Sequence, residues 1–160
     1  KLRDTELPSA VQLYIVGAGD TEENENEIKS LYNQAKVEGI EFKGVLSGNE
    51  LVDIYRQADI FVLPSYSEDQ PLTIIEAMSC GLPIVSTTVG SIPSLVENTV
   101  NGLLVSPKDT DGLYKSLLKL CTSKELRENM KKNNKLLAGQ RFGLAQFMTN
   151  ISELSINIKK

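Results

Sequence analysis

The chain has 160 residues, with 17 lysines and arginines against 21 aspartates and glutamates, so its formal net charge is −4. It contains no histidine and no tryptophan, and its two cysteines, Cys80 and Cys121, form no Cys-x-x-Cys pair. The missing histidine excludes Ser-His-Asp and Cys-His catalysis, and the two separate cysteines support neither a zinc ribbon nor a disulfide framework. The mild acidity argues against nucleic acid as the main ligand, because phosphate binding needs a concentrated basic face.

Size and hydropathy indicate one soluble domain. A chain of this length fits a single domain, and its 41% apolar and 24% charged residues are ordinary for a globular protein. No apolar run approaches the roughly 18 to 20 residues that span a bilayer, and no signal peptide opens the chain. We expect both cysteines to be small buried hydrophobes and the protein to occupy a reducing, cytoplasmic location.

Short apolar runs of strand length recur along the chain. Their nearly continuous hydrophobicity is typical of strands that are covered on both faces of a sheet. The predicted strands are Val11–Val16, Ile40–Lys43, Ile60–Leu63, Ile84–Val85 and Leu103–Val105, of which the second has the weakest pattern.

Between these runs, apolar residues recur three and four positions apart, as they do on one face of a helix. The predicted faces are Ile28, Leu31, Tyr32 and Ala35; Leu51, Ile54, Tyr55 and Ala58; Leu113, Leu117 and Leu120; and Leu126, Met130 and Leu137. A last helix is predicted from Leu144 to Ile158. Strands that alternate with helices in this way indicate βαβ units. The predicted fold class is α/β, with a doubly wound parallel sheet.

In open parallel sheets, ligands bind at the carboxyl ends of the strands, so the loops that follow the apolar runs are the candidates for a site. The first such loop contains Gly17-Ala18-Gly19, which is part of the Gly-x-Gly-x-x-Gly dinucleotide fingerprint. Glu22 stands where the third glycine would be, and the acidic residues around it would repel a pyrophosphate. We therefore favour a tight turn over an NAD site here.

The second loop ends at Pro71 and leads into a helix that is predicted over Leu72–Cys80. Pro71 suits the first helical turn, and Gly81 suits the C-terminal cap. The N–H groups near Leu72 and Thr73 would then point out of the helix start, at the carboxyl edge of the sheet. Such a position favours a phosphate or a diphosphate.

Two carboxylates bracket this helix start. Glu68 lies in the loop before it, and Glu76 lies about one and a half turns into the helix. The apolar neighbours of Glu76 predict that it is at least partly enclosed, where a carboxylate needs a partner such as the two hydroxyls of a vicinal diol. An anion site between two carboxylates suits a nucleotide-sugar, which has a diphosphate between two polyols. The alternative is structural: Glu68 caps the loop, and Glu76 pairs with a neighbouring base.

Two other segments carry weaker indications. The third loop, Ser86 to Pro93, either supplies backbone donors to the same ligand or is an ordinary turn between a strand and a helix. Asp109-Thr110-Asp111 resembles a metal-binding Asp-x-Asp pair, but it directly precedes an amphipathic helix, where Asp and Thr are preferred caps. The sequence offers no further nearby carboxylate to complete a metal shell. The prediction is therefore a helix cap and no metal site.

The succession of motifs resembles one known family. Glu68 and Glu76 form a Glu-x7-Glu spacing inside Pro-Ser-x-x-Glu…Leu-x-x-x-Glu-Ala-Met-x-Cys-Gly-x-Pro-Ile-Val, which is followed by Val-Gly-x-Ile-Pro-x-Leu-Val-Glu and Asn-Gly-Leu-Leu-Val. This pattern resembles the donor-binding half of the retaining GT-B glycosyltransferases, usually called family 4 or group 1. The resemblance extends from Leu13 to about Met130.

The resemblance implies a role for particular residues. Residues 1–160 would form a single Rossmann-like domain that binds a UDP-, GDP- or ADP-sugar. Glu68 would be the catalytic residue at the transferred sugar, and Glu76 would bind the nucleotide ribose. The segment that would meet the sugar hydroxyls and the diphosphate is Gln70, Pro71, Leu72 and Thr73, and the segment that would receive the base is Gly44 and Val45. Members of the family are generally metal-independent, so the resemblance implies no metal and no cofactor.

The parent enzyme that the resemblance implies is larger than this chain. It would carry an N-terminal domain that binds an acceptor glycan or a lipid-linked glycan, and it would act in the synthesis of a surface polysaccharide or a glycoconjugate. We expect a hexosyltransferase in the cytoplasm, whose membrane contact is peripheral and at the inner face.

The chain departs from the family pattern in two places. Asp69-Gln70-Pro71 stands where many members have Gly-Phe-Gly, so Pro71 lacks a donor N–H and Asp69 adds a negative charge. The Gly-Arg…Lys-Gly segment that neutralises the diphosphate in the family has no counterpart in Lys1-Leu2-Arg3-Asp4. We therefore expect these 160 residues alone to bind a donor weakly and to show no turnover. The alternative function is a non-catalytic module that holds a nucleotide or a glycan in the same cleft.

Overall fold

The computed structural model describes residues 11–17 and 39–143, together with five separate helical residues, Asn24, Asn26, Glu27, Ser30 and Asn33. The helical face predicted around Leu31, the helix predicted from Leu144 to Ile158, and the glycine loop beyond Gly17 lie outside the described residues. The chain divides between Ile54 and Tyr55 into two compact units.

In the unit of residues 1–54, two strands pair in parallel: β1, Leu13–Val16, and β2, Ile40–Gly44. The N–H of Gly17 donates a hydrogen bond to the carbonyl oxygen of Gly44 at 2.8 Å, so the pairing continues to the carboxyl ends of both strands. Both strands that the sequence predicts in this unit are therefore confirmed, although β1 begins two residues later than predicted.

In the unit of residues 55–160, three parallel strands pair in the order β3, Phe61–Leu63, β4, Ile84–Thr87, and β5, Gly102–Val105. Val85 lies in register between Val62 and Leu103. All four residues of β4 are buried, as expected for a central strand that is covered on both faces. The parallel sheet with helical connections confirms the predicted α/β class.

The helices in the described residues are α1, Gly48–Gln57; α2, Leu72–Cys80; α3, Ile92–Leu95; α4, Thr110–Thr122; and α5, Lys124–Phe142. α2 has the predicted bounds. Gly81 ends it in the left-handed conformation, at φ 83°, and donates to the carbonyl oxygen of Met78 at 2.8 Å, so the predicted C-cap is confirmed. Each of these helices is too short or too polar to cross a bilayer.

The core of the larger unit lies between the sheet, α4 and the first turns of α5. It consists of the buried residues Val85, Leu103, Leu120 and Met130, against which pack the half-buried residues Ile60, Val62, Leu113, Leu117 and Leu126. α2 packs against α5 and contributes the fully buried Ile74, Ala77 and Met78. The apolar face that the sequence predicts on α4 therefore packs in this core, as do Leu126 and Met130 of the predicted α5 face, whereas Leu137 is half-buried outside it.

Two fully buried asparagines tie α5 to the loops around β4 and β5. Asn134 Nδ2 donates to the carbonyl oxygens of Leu82 at 2.7 Å and Asn101 at 2.8 Å. Asn101 Nδ2 in turn donates to Asn134 Oδ1 at 2.9 Å, and Asn101 Oδ1 accepts from the N–H of Glu97 at 2.7 Å. Buried amides are tolerated only when they are paired. This network could not be predicted from the sequence, because apolar periodicity carries no signal for a buried amide.

The two cysteines are free thiols that are half-buried, whereas the sequence predicted small buried hydrophobes. Cys80 is the last residue of α2, and Cys121 lies in the last turn of α4. Burial raises the pKa of the Cys121 thiol above its ordinary value. This thiol is therefore held in its unreactive, protonated form at neutral pH.

Candidate functional site

Three loops follow the strands of the β3-β4-β5 sheet, and parallel pairing brings them to one edge of it. They are residues 64–71, 88–91 and 106–109. The third loop contacts the first, because the ammonium of Lys108 lies 5.9 Å from the ring centroid of Tyr66. All the site residues that the sequence predicts in this unit lie in loop 64–71 or in α2.

Three hydroxyl groups of β4 and of the following loop hold the segment that precedes α2. Each hydroxyl donates to a backbone carbonyl oxygen: Ser86 to that of Leu63 at 2.7 Å, Thr87 to that of Ser65 at 2.6 Å, and Ser91 to that of Asp69. The sequence leaves two interpretations of the segment from Ser86 to Pro93: a source of backbone donors to the ligand, or an ordinary turn between a strand and a helix. These hydrogen bonds make it a support for loop 64–71.

Gly90 allows the two loops to approach each other closely. Its φ of 53° lies in the left-handed region, which favours glycine. A Cβ atom at this position would overlap the backbone carbonyl oxygen of Glu68. The position of the Glu68 backbone therefore depends on the absence of a side chain at residue 90.

The Glu68 side chain is half-buried and is held within its own loop. Ser65 Oγ donates a hydrogen bond to Glu68 Oε1 at 2.6 Å. This contact agrees with the structural alternative, in which Glu68 caps the loop. It also leaves a carboxylate with further acceptor capacity beside the start of α2, since each carboxylate oxygen accepts two hydrogen bonds.

The start of α2 presents exposed residues at the carboxyl edge of the sheet. Pro71 is buried and occupies the N-cap position in an extended conformation, one residue earlier than predicted, and no side chain of the described residues caps this helix. Gln70 and Thr73 are exposed, and the Leu72 side chain is 64% exposed. The first N–H groups of the helix and the positive end of its dipole are thus available to an anion.

Glu76 is exposed, so the prediction that it is at least partly enclosed was wrong. The buried residues of α2 are Ile74, Ala77 and Met78, which lie on one side of the helix, and the 100° advance per residue places Glu76 on the other side. Its neighbours in sequence are apolar, but they do not surround it in space. Nor does it pair with a base through any described contact; its partner is a tyrosine.

Tyr55 of α1 is this partner, which is not among the site residues predicted from the sequence. Its hydroxyl donates to Glu76 Oε2 at 2.9 Å and lies 3.4 Å from the carbonyl oxygen of Thr73, while only 8% of the residue is exposed. The sequence assigned Tyr55 to the apolar face of its helix, which is correct for the ring. The phenol oxygen could have indicated such a contact, because a buried tyrosine generally finds a hydrogen-bond partner.

Gly44 and Val45, the predicted base-binding segment, belong to the unit of residues 1–54. Gly44 ends β2 with a φ of 66°, and its carbonyl oxygen accepts from Gly17. The Val45 side chain is 73% exposed. Their role in binding a base stays a prediction.

Asp109 is a helix cap, as predicted. Its Oδ1 accepts a hydrogen bond from the N–H of Gly112 at 2.8 Å at the start of α4. A Cβ atom on Gly112 would clash with the Asp109 carboxylate, so the cap is tightly closed. In the part of the chain that the structure describes, no three Asp, Glu, Cys or His side chains are grouped as metal ligands.

Replacing Asp109 with alanine should lower the free energy of unfolding by about 1 kcal/mol, because the N–H of Gly112 loses its acceptor. Urea denaturation followed by circular dichroism measures this loss. Asp109→Asn is the matched control, since its side-chain oxygen still caps the helix. A loss of stability in Asp109→Asn as large as in Asp109→Ala would contradict the capping role.

Comparison with known proteins identifies the family. The model of the family described as "Glycosyl transferases group 1" matches residues 1–123. A D-inositol 3-phosphate glycosyltransferase of Saccharomonospora viridis is 33% identical over 117 residues, which are 71% of this chain and 27% of that protein. The Escherichia coli UDP-Gal:alpha-D-GlcNAc-diphosphoundecaprenol alpha-1,3-galactosyltransferase is 33% identical over 156 residues, which are 95% of this chain and 38% of that protein.

The fold is also that of a solved relative. The sucrose-phosphate synthase of Thermosynechococcus elongatus superposes with a TM-score of 0.80 at 26% identity, over 92% of this chain and 38% of that one. The chain thus spans roughly a quarter to two fifths of the length of these three proteins. Because the family model covers more than half of its residues, the chain belongs to the group 1 family of glycosyltransferases.

Proposed function

We propose that this chain is the C-terminal, donor-binding domain of a retaining GT-B glycosyltransferase of family 4. The observation that carries the proposal is the arrangement of Glu68 and Glu76 on either side of an exposed helix start. Glu68 is held by Ser65 and Glu76 is held by Tyr55, with the uncapped first turn of α2 between them. A nucleotide-sugar has the complementary order of groups, with a diphosphate between a ribose and a sugar.

In this proposal the backbone binds the diphosphate. The N–H groups of Leu72 and Thr73 and the positive end of the α2 dipole offset its charge. The same groups stabilise the negative charge that develops on the leaving diphosphate, which is the main catalytic contribution we assign to the chain. Glu68 accepts hydrogen bonds at the transferred sugar, and Gln70 and Pro71 line the path between the sugar and the diphosphate. We propose that no metal is required.

The nucleoside is bound by two further groups. Glu76 accepts hydrogen bonds from the ribose hydroxyls, and Gly44 and Val45 receive the base. The name of the Escherichia coli relative includes UDP-Gal as the donor, which supports a nucleoside-diphosphate hexose for this chain as well. We propose a UDP-, GDP- or ADP-sugar.

We propose that the parent protein is larger, since the chain spans roughly a quarter to two fifths of the three proteins compared above. We propose that the rest of the parent binds the acceptor, a glycan or a lipid-linked glycan, and that transfer requires both parts. Two of the relatives named above carry an inositol phosphate and a diphosphoundecaprenol-linked sugar in their names, which supports a role in glycoconjugate or surface polysaccharide synthesis. A cytoplasmic location with peripheral contact at the inner membrane face follows from that role.

A second candidate is a non-catalytic module that binds a nucleotide or a glycan in the same place. The observation that favours it is the Asp69-Gln70-Pro71 segment, where an exposed carboxylate lies beside the helix start and the buried Pro71 offers no N–H. Both features weaken diphosphate binding relative to a glycine-rich segment. The two candidates differ in whether the parent transfers a sugar.

Titration of the chain with UDP, GDP, ADP and NAD, followed by calorimetry or by NMR, tests the donor-binding role. We expect one of the three nucleoside diphosphates to bind and NAD not to bind. A chain that binds none of them at millimolar concentration would contradict the proposal. Sugar release by the parent, measured with the matching nucleotide-sugar, separates the transferase from the non-catalytic module.

Replacing Glu76 with glutamine should weaken nucleoside-diphosphate binding about tenfold, because hydrogen bonds to a charged acceptor contribute about 1.5 kcal/mol or more. Calorimetric titration measures the change. Glu128→Gln, which removes the same charge from an exposed position on α5, is the control and should bind as the unmodified chain does. Equal affinities of the Glu76 and Glu128 variants would assign Glu76 a purely structural role.

A further inference from the structure

The hydrogen bond between Tyr55 and Glu76 joins a buried ring to an exposed carboxylate. The Tyr55 ring lies beside the Phe61 ring, with centroids 5.9 Å apart and planes tilted by 44°. Its hydroxyl reaches Glu76 Oε2 at 2.9 Å. A ring packed in this way has few accessible rotamers, so the hydroxyl is a fixed donor.

The hydrogen bond from Tyr55 restricts the conformation of the Glu76 side chain. An exposed glutamate has three rotatable side-chain bonds and distributes over many rotamers, and ordering it on a ligand costs conformational entropy. When a fixed phenol engages one carboxylate oxygen, that ordering is complete before a ligand arrives. Binding groups that are ordered in advance bind more tightly for the same contacts.

We propose that Tyr55 is a positioning residue for Glu76: it holds Oε2 so that Oε1 accepts the ribose hydroxyls of a bound nucleoside diphosphate. This inference rests on the proposed function, because it assigns the ribose to Glu76. It adds a residue outside the Glu-x7-Glu motif to the determinants of ribose recognition. Tyr55 itself does not contact the nucleotide.

The protonation state of the phenol supports this role. Burial, followed by the hydrogen bond to Glu76, raises the pKa of Tyr55 well above its ordinary value of 10.0, and the nearby thiol of Cys80 contributes in the same direction. Tyr55 therefore remains a hydrogen-bond donor across the whole neutral range.

A purely structural role for Tyr55 makes a different prediction. If the ring only fills space and the hydroxyl only donates to the carbonyl oxygen of Thr73, removal of the hydroxyl weakens the binding of all nucleotides equally or of none. If the hydroxyl positions Glu76, the loss is confined to ligands that carry the ribose hydroxyls. The two roles are separated by the ratio of the affinities for a nucleotide with and without its ribose hydroxyls. A uniform change in stability does not alter that ratio.

The test compares the chain with its Tyr55→Phe variant, which keeps the ring packing on Phe61. Each is titrated by calorimetry with UDP, GDP and ADP, and with the dideoxy form of each, which lacks both ribose hydroxyls. We expect the unmodified chain to bind its nucleoside diphosphate about tenfold more tightly than the dideoxy form, and Tyr55→Phe to lower that ratio about fivefold. Tyr14→Phe, which removes an exposed hydroxyl that donates to Gln12, should leave the ratio unchanged.

Each outcome supports or overturns a particular statement. If the chain prefers the ribose form and Tyr55→Phe keeps that preference, the positioning role is wrong while the proposed function stands. If the chain binds both forms equally, Glu76 does not bind the ribose and the inference is overturned. If no nucleoside diphosphate binds at all, the proposed function fails and the inference fails with it.

Two further measurements use substitutions of Glu76, so that the test does not depend on Tyr55→Phe alone. In a Glu76→Ala chain, adding Tyr55→Phe should cause no further loss of affinity, because the positioned group is already gone. In a Glu76→Gln chain, where the substituted residue is exposed, Tyr55 should ionise at a lower pH than in the unmodified chain, because its charged acceptor is gone. An additive loss in the first measurement, or an unchanged titration in the second, would overturn the positioning role.

Discussion

Replacing Asn134 with alanine should lower the free energy of unfolding by about 3 kcal/mol, because the change leaves buried carbonyl groups without donors. The carbonyl oxygens of Leu82 and Asn101 both accept from Asn134 Nδ2, and Asn101 Nδ2 loses an acceptor as well. Urea denaturation, followed by circular dichroism, measures the difference from the unmodified chain. An effect of this size would be a large fraction of the stability of a typical domain.

The neighbouring residue provides a matched control. Asn133 is half-buried and donates a single hydrogen bond, to the carbonyl oxygen of Val100 at 2.8 Å. Asn133→Ala should therefore lower the free energy of unfolding by only about 1 kcal/mol. The two buried amides should also be coupled: the combined loss in Asn101→Ala with Asn134→Ala should be smaller than the sum of the single losses, because they share hydrogen bonds. Equal effects of Asn133→Ala and Asn134→Ala would contradict the structural role of the network.

Gly90→Ala should destabilise the protein by about 3 kcal/mol and should also impair the site. The left-handed backbone costs an alanine about 1 kcal/mol, and the new methyl group must displace the Glu68 carbonyl oxygen, which adds a packing penalty of about 2 kcal/mol. If Glu68 lies at the transferred sugar, as we propose, displacing it by about 1 Å should lower the rate of sugar transfer by the parent about 100-fold. Denaturation of the chain and an activity assay of the parent measure the two effects.

Gly48 allows the two costs of Gly90→Ala to be separated. Its φ of 55° is nearly the same as that of Gly90, but a Cβ atom there would meet no atom of the described residues within 4 Å. Gly48→Ala should therefore lower the free energy of unfolding only by the cost of the left-handed backbone, about 1 kcal/mol, and should leave sugar transfer by the parent unaffected. If both alanine variants lose the same stability and the same activity, the contact between Gly90 and Glu68 has no role in the site.

These predictions concern how the two carboxylates of the site are held. Glu68 depends on Ser65 within its own loop and on Gly90 in the next one, and Glu76 depends on Tyr55. Glu76 is exposed and Glu68 is half-buried, whereas Tyr55 is buried and Ser65 is half-buried. Substitutions that alter the supports should therefore change function without changing any residue of the Glu-x7-Glu motif.

Much of the fold and the composition of the site could be predicted from the sequence. The predicted runs that begin at Ile40, Ile60 and Ile84 form strands, the second from Phe61, and α2 has its predicted bounds. These predictions succeeded because the information is local: the period of the apolar residues, a glycine at a helix end and a carboxylate at a helix start act within a few positions. The family, too, could be recognised from contiguous motifs.

The environment of Glu76 was predicted wrongly for the same reason. Its sequence neighbours Ile75 and Ala77 are apolar, but burial on a helix depends on residues three and four positions away. Ala77 and Met78 face α5 or the core, while Glu76 points away and meets Tyr55. A prediction made from the helical face, instead of from adjacent residues, would have placed Glu76 at the surface.

The α/β class, the order of strands and helices, the caps at Gly81 and Asp109, and the spacing of the two carboxylates can thus be read from the sequence. The groups that support the carboxylates can be identified only in the folded protein. Tyr55 and Glu76 are 21 residues apart, and Asn134 and Leu82 are 52 residues apart. Partners at such distances are chosen by how the helices and strands pack, and the local pattern of apolar and polar residues does not encode that choice.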